Sequence, residues 1–484
     1  MLDALNPPFA KIPDVKIAYN VGCCFDIPTG GYVTGRYGES ILNAGFGALV
    51  GIVGIANSFK SLIMHYLTLS VAARFSESVI STYDTEINIS MQRLQNLAER
   101  FPALSGSNNP MLTGRWIVTD KSIYHANEWY EKQKEYMKSK LAARNKLLRK
   151  TPFLDRDGVQ ISVMVPTITQ VDSFTKFETE DVADMKDSNE LGDSGANTSY
   201  MKQGASKARF LSDLPKLIAL HSNPMIMTAH VGKTIAMDPR AAPVKKLAYL
   251  KNGDTIKGVT DDFLFLTTHC WQTLSAQPLF NDTTKGPEYP EDSSDSIKGD
   301  TDLILITLLM HRSKTGRSGL VMQVVASQEQ GLLPSLSEFH YIKTNNRYGI
   351  SGSLQNYSLD LLPDVNLSRT TVRGKLNTNA TLRRAMNITS EMCQIFSLWS
   401  DAAPYLCTPK ELYDDLIKLG YDWKVLLETR EWWTFDNESQ PVPFLSTWDL
   451  LRMRKKEYVP YWMTDEQVPA ACKDIPRIVP DTKK

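Results

Sequence analysis

One stretch constrains this chain more than any other. Ala48 to Val53 is a short, β-branched apolar run and reads as a buried strand. Gly54-Ile55-Ala56-Asn57-Ser58-Phe59-Lys60-Ser61 follows, and Leu62 to Phe75 reads as a helix free of Gly and Pro. Strand, loop and helix in that order form the context of a phosphate loop. A glycine at the strand exit lets backbone N–H groups wrap phosphates. A lysine reaches the β- and γ-phosphates, a hydroxyl at the helix start serves Mg²⁺, and the helix dipole adds to the field. Gly54, Lys60 and Ser61 stand at the offsets of G-x-x-x-x-G-K-[ST], with Asn57, Ser58 and Phe59 between them. Phe59 occupies the place of the second glycine. The bland alternative is an apolar strand that happens to run into Lys-Ser.

Three further strand ends carry polar groups. Ser78 to Tyr83 reads as a strand ending in Asp84-Thr85-Glu86, with Glu86 26 residues after Lys60. In a parallel sheet that spacing puts Glu86 at the carboxyl end of a neighbouring strand, where a carboxylate can orient or activate water. Val163 to Asp172 reads as a third strand, and an aspartate at its end can hold Mg²⁺ through water. Pro224 to Ala229 reads as a fourth, ending in His230, which can touch a γ-phosphate; Lys207 to Ser222 before it is helical in pattern. The alternatives are a solvated acid, a turn aspartate and a structural histidine.

The rest of the composition narrows the field. A length of 484 residues allows two or three domains. Lys plus Arg and Asp plus Glu are both 54, which excludes a uniformly basic DNA-coating protein but not a local basic site. Cys23, Cys24, Cys270, Cys393, Cys407 and Cys472 form no C-x-x-C, so a zinc ribbon or dithiol site is not expected, and scattered thiols suit a reducing cytosol. The first residues lack the basic and apolar regions of a signal peptide. Ser40 to Phe59 has no charge, but Gly45, Gly47, Gly51 and Gly54 make it a soluble loop–strand–loop rather than a membrane span. A cytoplasmic location is expected, without membrane partners.

The order of these motifs resembles the RecA family. Asp26-Ile27-Pro28-Thr29-Gly30 resembles the S-T-G segment before the phosphate loop, and N-S-F-K-S resembles the phage, UvsX-like recombinase branch. Tyr83 to Glu86 (Y-D-T-E) resembles the D-x-E strand end, Val171 to Ser173 the Walker B end, and Thr228 to His230 the sensor. Gly192 to Ser194 and Gly204 to Arg209 resemble the first DNA-binding loop and the helix after it. The resemblance covers about residues 20 to 330. It implies an α/β core with a mainly parallel twisted sheet, using ATP and Mg²⁺. It also implies an oligomer, a helical filament or a ring, that binds single-stranded DNA and exchanges it with homologous duplex. A recombination mediator or single-strand-binding protein is a possible partner. Glu86, Lys60 and His230 become the catalytic set, and Ser61 and Asp172 the metal ligands. The rivals are a ring-forming replicative helicase and a non-catalytic RecA-like accessory protein.

Loops complete the expectation. Asp184 to Gln203 reads as a mobile loop, and Gly232 to Gly258 as a basic one suited to phosphate contacts, with Tyr249 able to stack on a base. Lys202, Lys207, Arg209, Lys233, Arg240, Lys245 and Lys246 are the DNA-contact candidates. Ile123 to Lys150 reads as one long helix with a basic end. Asp282 to Asp302, with seven acids and two lysines, reads as a disordered outer insertion. Arg312, Lys314 and Arg317 stand where RecA-like filaments place cations facing a neighbour's ATP; a basic hairpin turn gives the same string. The expected division is an arm over residues 1–25 that can self-associate, a core over 26–345 with insertions near 101–158 and 280–302, and a mainly helical domain over 346–484. That last domain holds six of the nine tryptophans.

Overall fold

The computed structural model describes residues 16–119, 125–188, 195–233, 248–292, 294–295, 297–353 and 356–480. It is a mixed α/β fold around one ten-stranded sheet. The sheet strands are β1 Leu49–Gly54, β2 Val79–Asp84, β3 Trp116–Val118, β4 Thr167–Asp172, β5 Met225–Lys233, β6 Asp254–Ile256, β7 His269–Pro278, β8 Leu303–Ser313, β9 Val321–Ser327 and β10 Gly331–Leu332. Their order is β10-β9-β8-β7-β1-β5-β4-β2-β3, with β6 paired to β5 alone. The run from β7 to β3 is parallel, and β7, β8, β9 and β10 pair antiparallel. Register puts Gly54 beside His230 and Asp84 beside Asp172, so these polar groups of four strands share one edge. The strand expected to end at His230 runs on to Lys233, and the expected basic loop Gly232 to Gly258 begins and ends in paired strand, because Asp254–Ile256 folds back on Val231–Lys233.

The main helices are α1 Lys60–Arg74, α2 Ala126–Ala142, α3 Gly195–His221, α4 Asp261–Leu266, α5 Pro334–Thr344, α6 Ala380–Leu398, α7 Pro409–Leu419 and α8 Thr447–Arg454. β1 is buried throughout, as an apolar central strand of a parallel sheet is, and α1 is buried almost throughout, with Lys60, His65, Thr68 and Ser70 enclosed among its apolar residues. α7 begins with a Thr408/Glu411 capping box and ends at Gly420 in the left-handed region, which satisfies both termini.

Several expectations are corrected. The stretch Val163 to Asp172 is two strands: Gln160–Met164 pairs with Leu148–Leu154 in a separate hairpin, and β4 starts after Pro166, which has no N–H to donate. The long helix stops at Ala142, and after the short helix Arg144–Leu147 the chain turns into the strand Leu148–Leu154, where Thr151 and Phe153 are buried. Pro152 disfavours helix at the residue before it. The expected loop from Asp184 to Gln203 is largely helical: Glu180–Asp187 is a helix, α3 begins at Gly195, and residues 189–194 lie outside the described ones. Buried Phe210, Leu211 and Leu214 hold α3 against the core.

The acidic insertion is a strap. Tyr289 is fully buried and bonds His340 Nδ1 through its hydroxyl at 3.0 Å. Arg373 meets Asp302 through two bonds of 3.0 Å and lies 3.6 Å from Glu291. Asp302, Glu291 and Asp295 thus face a buried guanidinium, and Glu288 pairs with Lys343 at 2.8 Å.

The region after 345 opens with a three-stranded sheet, Ile350–Ser353, Asn356–Leu359 and Leu362–Leu367, before its helices. Its apolar core crosses the expected boundary, since Leu303, Val325, Leu336 and Phe339 share a cluster with Leu382, Met386 and Leu450. The described part of the N-terminal arm packs inward. Tyr19 stacks on Trp433 at 5.6 Å, and Asp26 accepts from the Val21 and Gly22 N–H groups at 2.8 and 2.9 Å. Residues 1–15, where self-association was expected, lie outside the described residues. Among the described residues no helix is long and apolar enough to cross a membrane.

Candidate functional site

The loop between β1 and α1 is shaped by its own backbone. Gly54 leaves β1 where a Cβ would collide with the Thr273 hydroxyl and stand 2.6 Å from Ser58 Oγ. The Ser58 hydroxyl bonds Thr273 Oγ1 at 2.6 Å and the Ile55 carbonyl at 2.7 Å. Asn57 and Phe59 are both left-handed, with φ of 56° and 61°. Asn tolerates that region; a bulky residue is strained there by about 1–3 kcal/mol. The Phe59 ring packs against the main apolar core, which offsets the strain and explains how the loop does without its second glycine. We expect Gly54→Ala to weaken ATP binding at least tenfold, as titration with a fluorescent ATP analogue would read; unchanged affinity would mean that this turn does not form the phosphate cradle.

Lys60 opens α1 and is 7% exposed, its ammonium donating to the Ile55 carbonyl at 2.7 Å. Burial lowers its pKa, against the opposing pull of Asp172 and Glu86. Ser61 Oγ donates to Asp172 Oδ2 at 2.6 Å, and Thr228 Oγ1 to Asp172 Oδ1 at 2.5 Å. Glu86 Oε1 accepts from Ser173 Oγ at 3.2 Å and lies 3.3 Å from His230 Nε2. Asp84 holds the Glu86 turn in place: its carboxylate accepts from the N–H groups of Glu86, Asn88 and Ile89 at 3.1, 2.9 and 2.9 Å.

Lys60, Ser61, Glu86, Asp172 and His230 therefore meet at one sheet edge. Sequence reasoning missed Asp84, Ser173, Thr175, Thr228 and Thr273, which orient them. Asp84 in the Y-D-T-E motif, Thr228, two before His230, and Ser173, next to Asp172, carried a signal as members of motifs already read; Thr175 and Thr273 carried none. Among the described residues no group of three or more His, Cys, Asp and Glu side chains can hold a metal ion. A magnesium ion needs fewer: one or two protein oxygens beside phosphate and water suffice, and the Ser61–Asp172 pair fits that demand.

The cationic candidates fall into groups. Lys202 and Arg209 are exposed on α3. Lys207 is corrected: it is 2% exposed, with its ammonium on the Thr175 and Gly258 carbonyls, so it faces no solvent-borne strand. Lys233 is exposed and paired with Asp254. Arg240, Lys245 and Lys246 lie outside the described residues. Arg312, Lys314 and Arg317 occupy the β8–β9 hairpin. β8 pairs antiparallel to β7 with Arg312 beside Cys270, and Cys270 is level with Gly51 near the start of β1. This hairpin sits at the opposite sheet edge from the phosphate loop. Lys314 and Arg312 flank the exposed ring of Phe265 at 5.9 and 6.0 Å.

No family model matches the chain, and no curated protein matches it. Solved structures do match. One is described as the crystal structure of the RadB recombinase, at 17% identity and a TM-score of 0.31, over 60% of this chain and 93% of that one. At that score the likeness carries no argument, and function rests on the geometry above.

Proposed function

We propose that this chain is a RecA-type ATPase, dependent on Mg²⁺ and stimulated by DNA, that pairs single-stranded DNA with homologous duplex. The observation that carries the reading is the meeting of Lys60, Ser61, Asp172, Glu86 and His230 around the Gly54–Ser61 loop. In this reading the Lys60 ammonium leaves the Ile55 carbonyl for phosphate oxygens. Ser61 and Asp172 hold Mg²⁺, which neutralises phosphate charge. Glu86 orients the attacking water, and His230, beside it, senses the γ-phosphate. The Phe59-bearing loop favours the UvsX-like branch within this reading.

Arg312, Lys314 and Arg317, facing away from the chain's own loop, serve a neighbouring copy, which makes the working form a filament or ring. Lys202 and Arg209 supply phosphate contacts to DNA. The test mixes protein, ATP, Mg²⁺ and single-stranded DNA with homologous or heterologous duplex. Joints that need homology support a recombinase. DNA-stimulated hydrolysis without joints moves the assignment to a ring-forming helicase, and no hydrolysis at all to an accessory protein.

A further inference from the structure

Lys207 is, among the described residues, the most deeply buried of the cations expected at the DNA face. Its ammonium donates to the Thr175 carbonyl at 3.0 Å and the Gly258 carbonyl at 2.6 Å, and it lies 5.4 Å from the centre of the Phe174 ring. The charged groups that act on it are Glu178 and Lys186, and these pair with each other at 2.9 Å. A buried ammonium held by two neutral carbonyls costs free energy that an apolar side chain of the same length would not. Burial lowers its pKa to about 8.

Its two partners lie at the catalytic edge. Thr175 is three residues after Asp172, and its hydroxyl accepts from the His230 N–H at 2.9 Å and donates to the Lys257 carbonyl at 3.2 Å. The Lys257 N–H donates back to the His230 carbonyl at 2.7 Å. Gly258 is left-handed, φ 64°, and a Cβ there would stand 2.9 Å from the Thr175 carbonyl oxygen and 3.2 Å from Lys207 Nζ. The ammonium thus joins the turn after Asp172 to the chain leaving β6, and the Thr175 hydroxyl carries the link on to His230 in β5. It projects from α3, the helix whose exposed side carries Lys202 and Arg209.

We infer that Lys207 is a positioning residue that links α3 to the Asp172–His230 edge, so that engagement of DNA by α3 reaches the phosphate site through this junction. The inference rests on the proposed DNA-stimulated ATPase. The link needs no change of covalent structure, only a shared shift of α3, Thr175 and Gly258 between two arrangements.

The experiment compares wild type with Lys207→Met, which keeps the stem and removes the charge. Turnover without DNA is expected to stay within about threefold, while stimulation by single-stranded DNA falls below about twofold. DNA affinity should no longer differ between complexes with an ATP analogue and with ADP. A second arm uses no DNA: hydrogen exchange over residues 254–260 should respond to the ATP analogue in wild type and not in the variant. Full stimulation with unchanged exchange overturns the link. Equal loss of DNA affinity in both nucleotide states also overturns it, since that marks a direct phosphate contact. If wild type shows no DNA-stimulated turnover, the functional reading fails, and the exchange arm still decides whether the junction responds to nucleotide. Gly258→Ala disturbs the junction from its other side and keeps the question decidable where Lys207→Met does not fold.

Discussion

In the proposed ATPase, Glu86→Gln is expected to lower ATP turnover by about 10²–10⁴-fold while ATP affinity stays within a few-fold, the size expected when a positioned proton acceptor is removed. The geometry gives the reason. Glu86 stands at the end of β2, with Ser173 Oγ at 3.2 Å and His230 Nε2 at 3.3 Å. Asp84 fixes the turn, so a glutamine keeps the position and loses only the charge. Lys60→Ala fails differently. It removes the cation proposed to face phosphate, so affinity and turnover are expected to fall together. Equilibrium binding of an ATP analogue beside steady-state hydrolysis separates the two. Undiminished turnover in Lys60→Ala would refute the site, and undiminished turnover in Glu86→Gln would move the base to another group.

The placement of these residues was legible because it depends on local signals. A β-branched run, a glycine at its exit and a helix without breakers define β1, the loop and α1 from the residues alone. Strand ends at Asp84 and Asp172 were legible for the same reason, since apolar strands bury and polar groups mark where they stop; His230 was placed on its strand but not at its end, because β6, about twenty residues on, supplies the pairing that extends β5 to Lys233. The misreadings share another cause. Leu148 to Lys150 reads as the end of a helix, yet begins a strand because Gln160–Met164 lies beside it to pair with. The segment Asp184 to Gln203 is loop-like in composition, yet much of it is helix because α3 has a buried face further along. The acidic strap read as solvated because Arg373, its partner, lies about 70 residues on. Lys207 read as a surface cation, since nothing local distinguishes it from Lys202; the two carbonyls that bury it come from Thr175 and Gly258.

The same blindness hid a buried charge network, and it supports the second large effect. Relative to wild type, Glu338→Gln is expected to gain stability as pH rises from about 5 to about 8, on the order of 2 kcal/mol in all, against an upper limit near 1.4 kcal/mol per pH unit. Glu338 is 4% exposed on α5. Burial, with Glu431 and Asp26 adding to it, lifts its pKa to about 8, against the pull of Asn387 and Arg384. Asn387 Nδ2 donates to it at 3.3 Å, while the Arg384 guanidinium is committed to Glu431 at 3.0 Å and Asn387 Oδ1 at 2.6 Å. Between the ordinary glutamate pKa of 4.5 and about 8, the unfolded chain has released this proton and the folded one retains it. The unfolded state then binds fewer protons, so this group's contribution to stability falls as pH rises through that window. Below it both states are protonated, and the contribution is whole. Wild type alone cannot isolate the effect. His65, His269, His311 and His340 are each lowered by burial to about 4, and act with the opposite sign below their unfolded pKa near 6.5. The difference between variant and wild type cancels them, because glutamine keeps the shape and the Asn387 bond and removes only the titration. Urea unfolding of both proteins at pH 5.5, 7 and 8.5 reads it directly. Parallel stability curves across that range would show that Glu338 is already ionised in the fold, with Arg384 rather than a proton as its counter-charge.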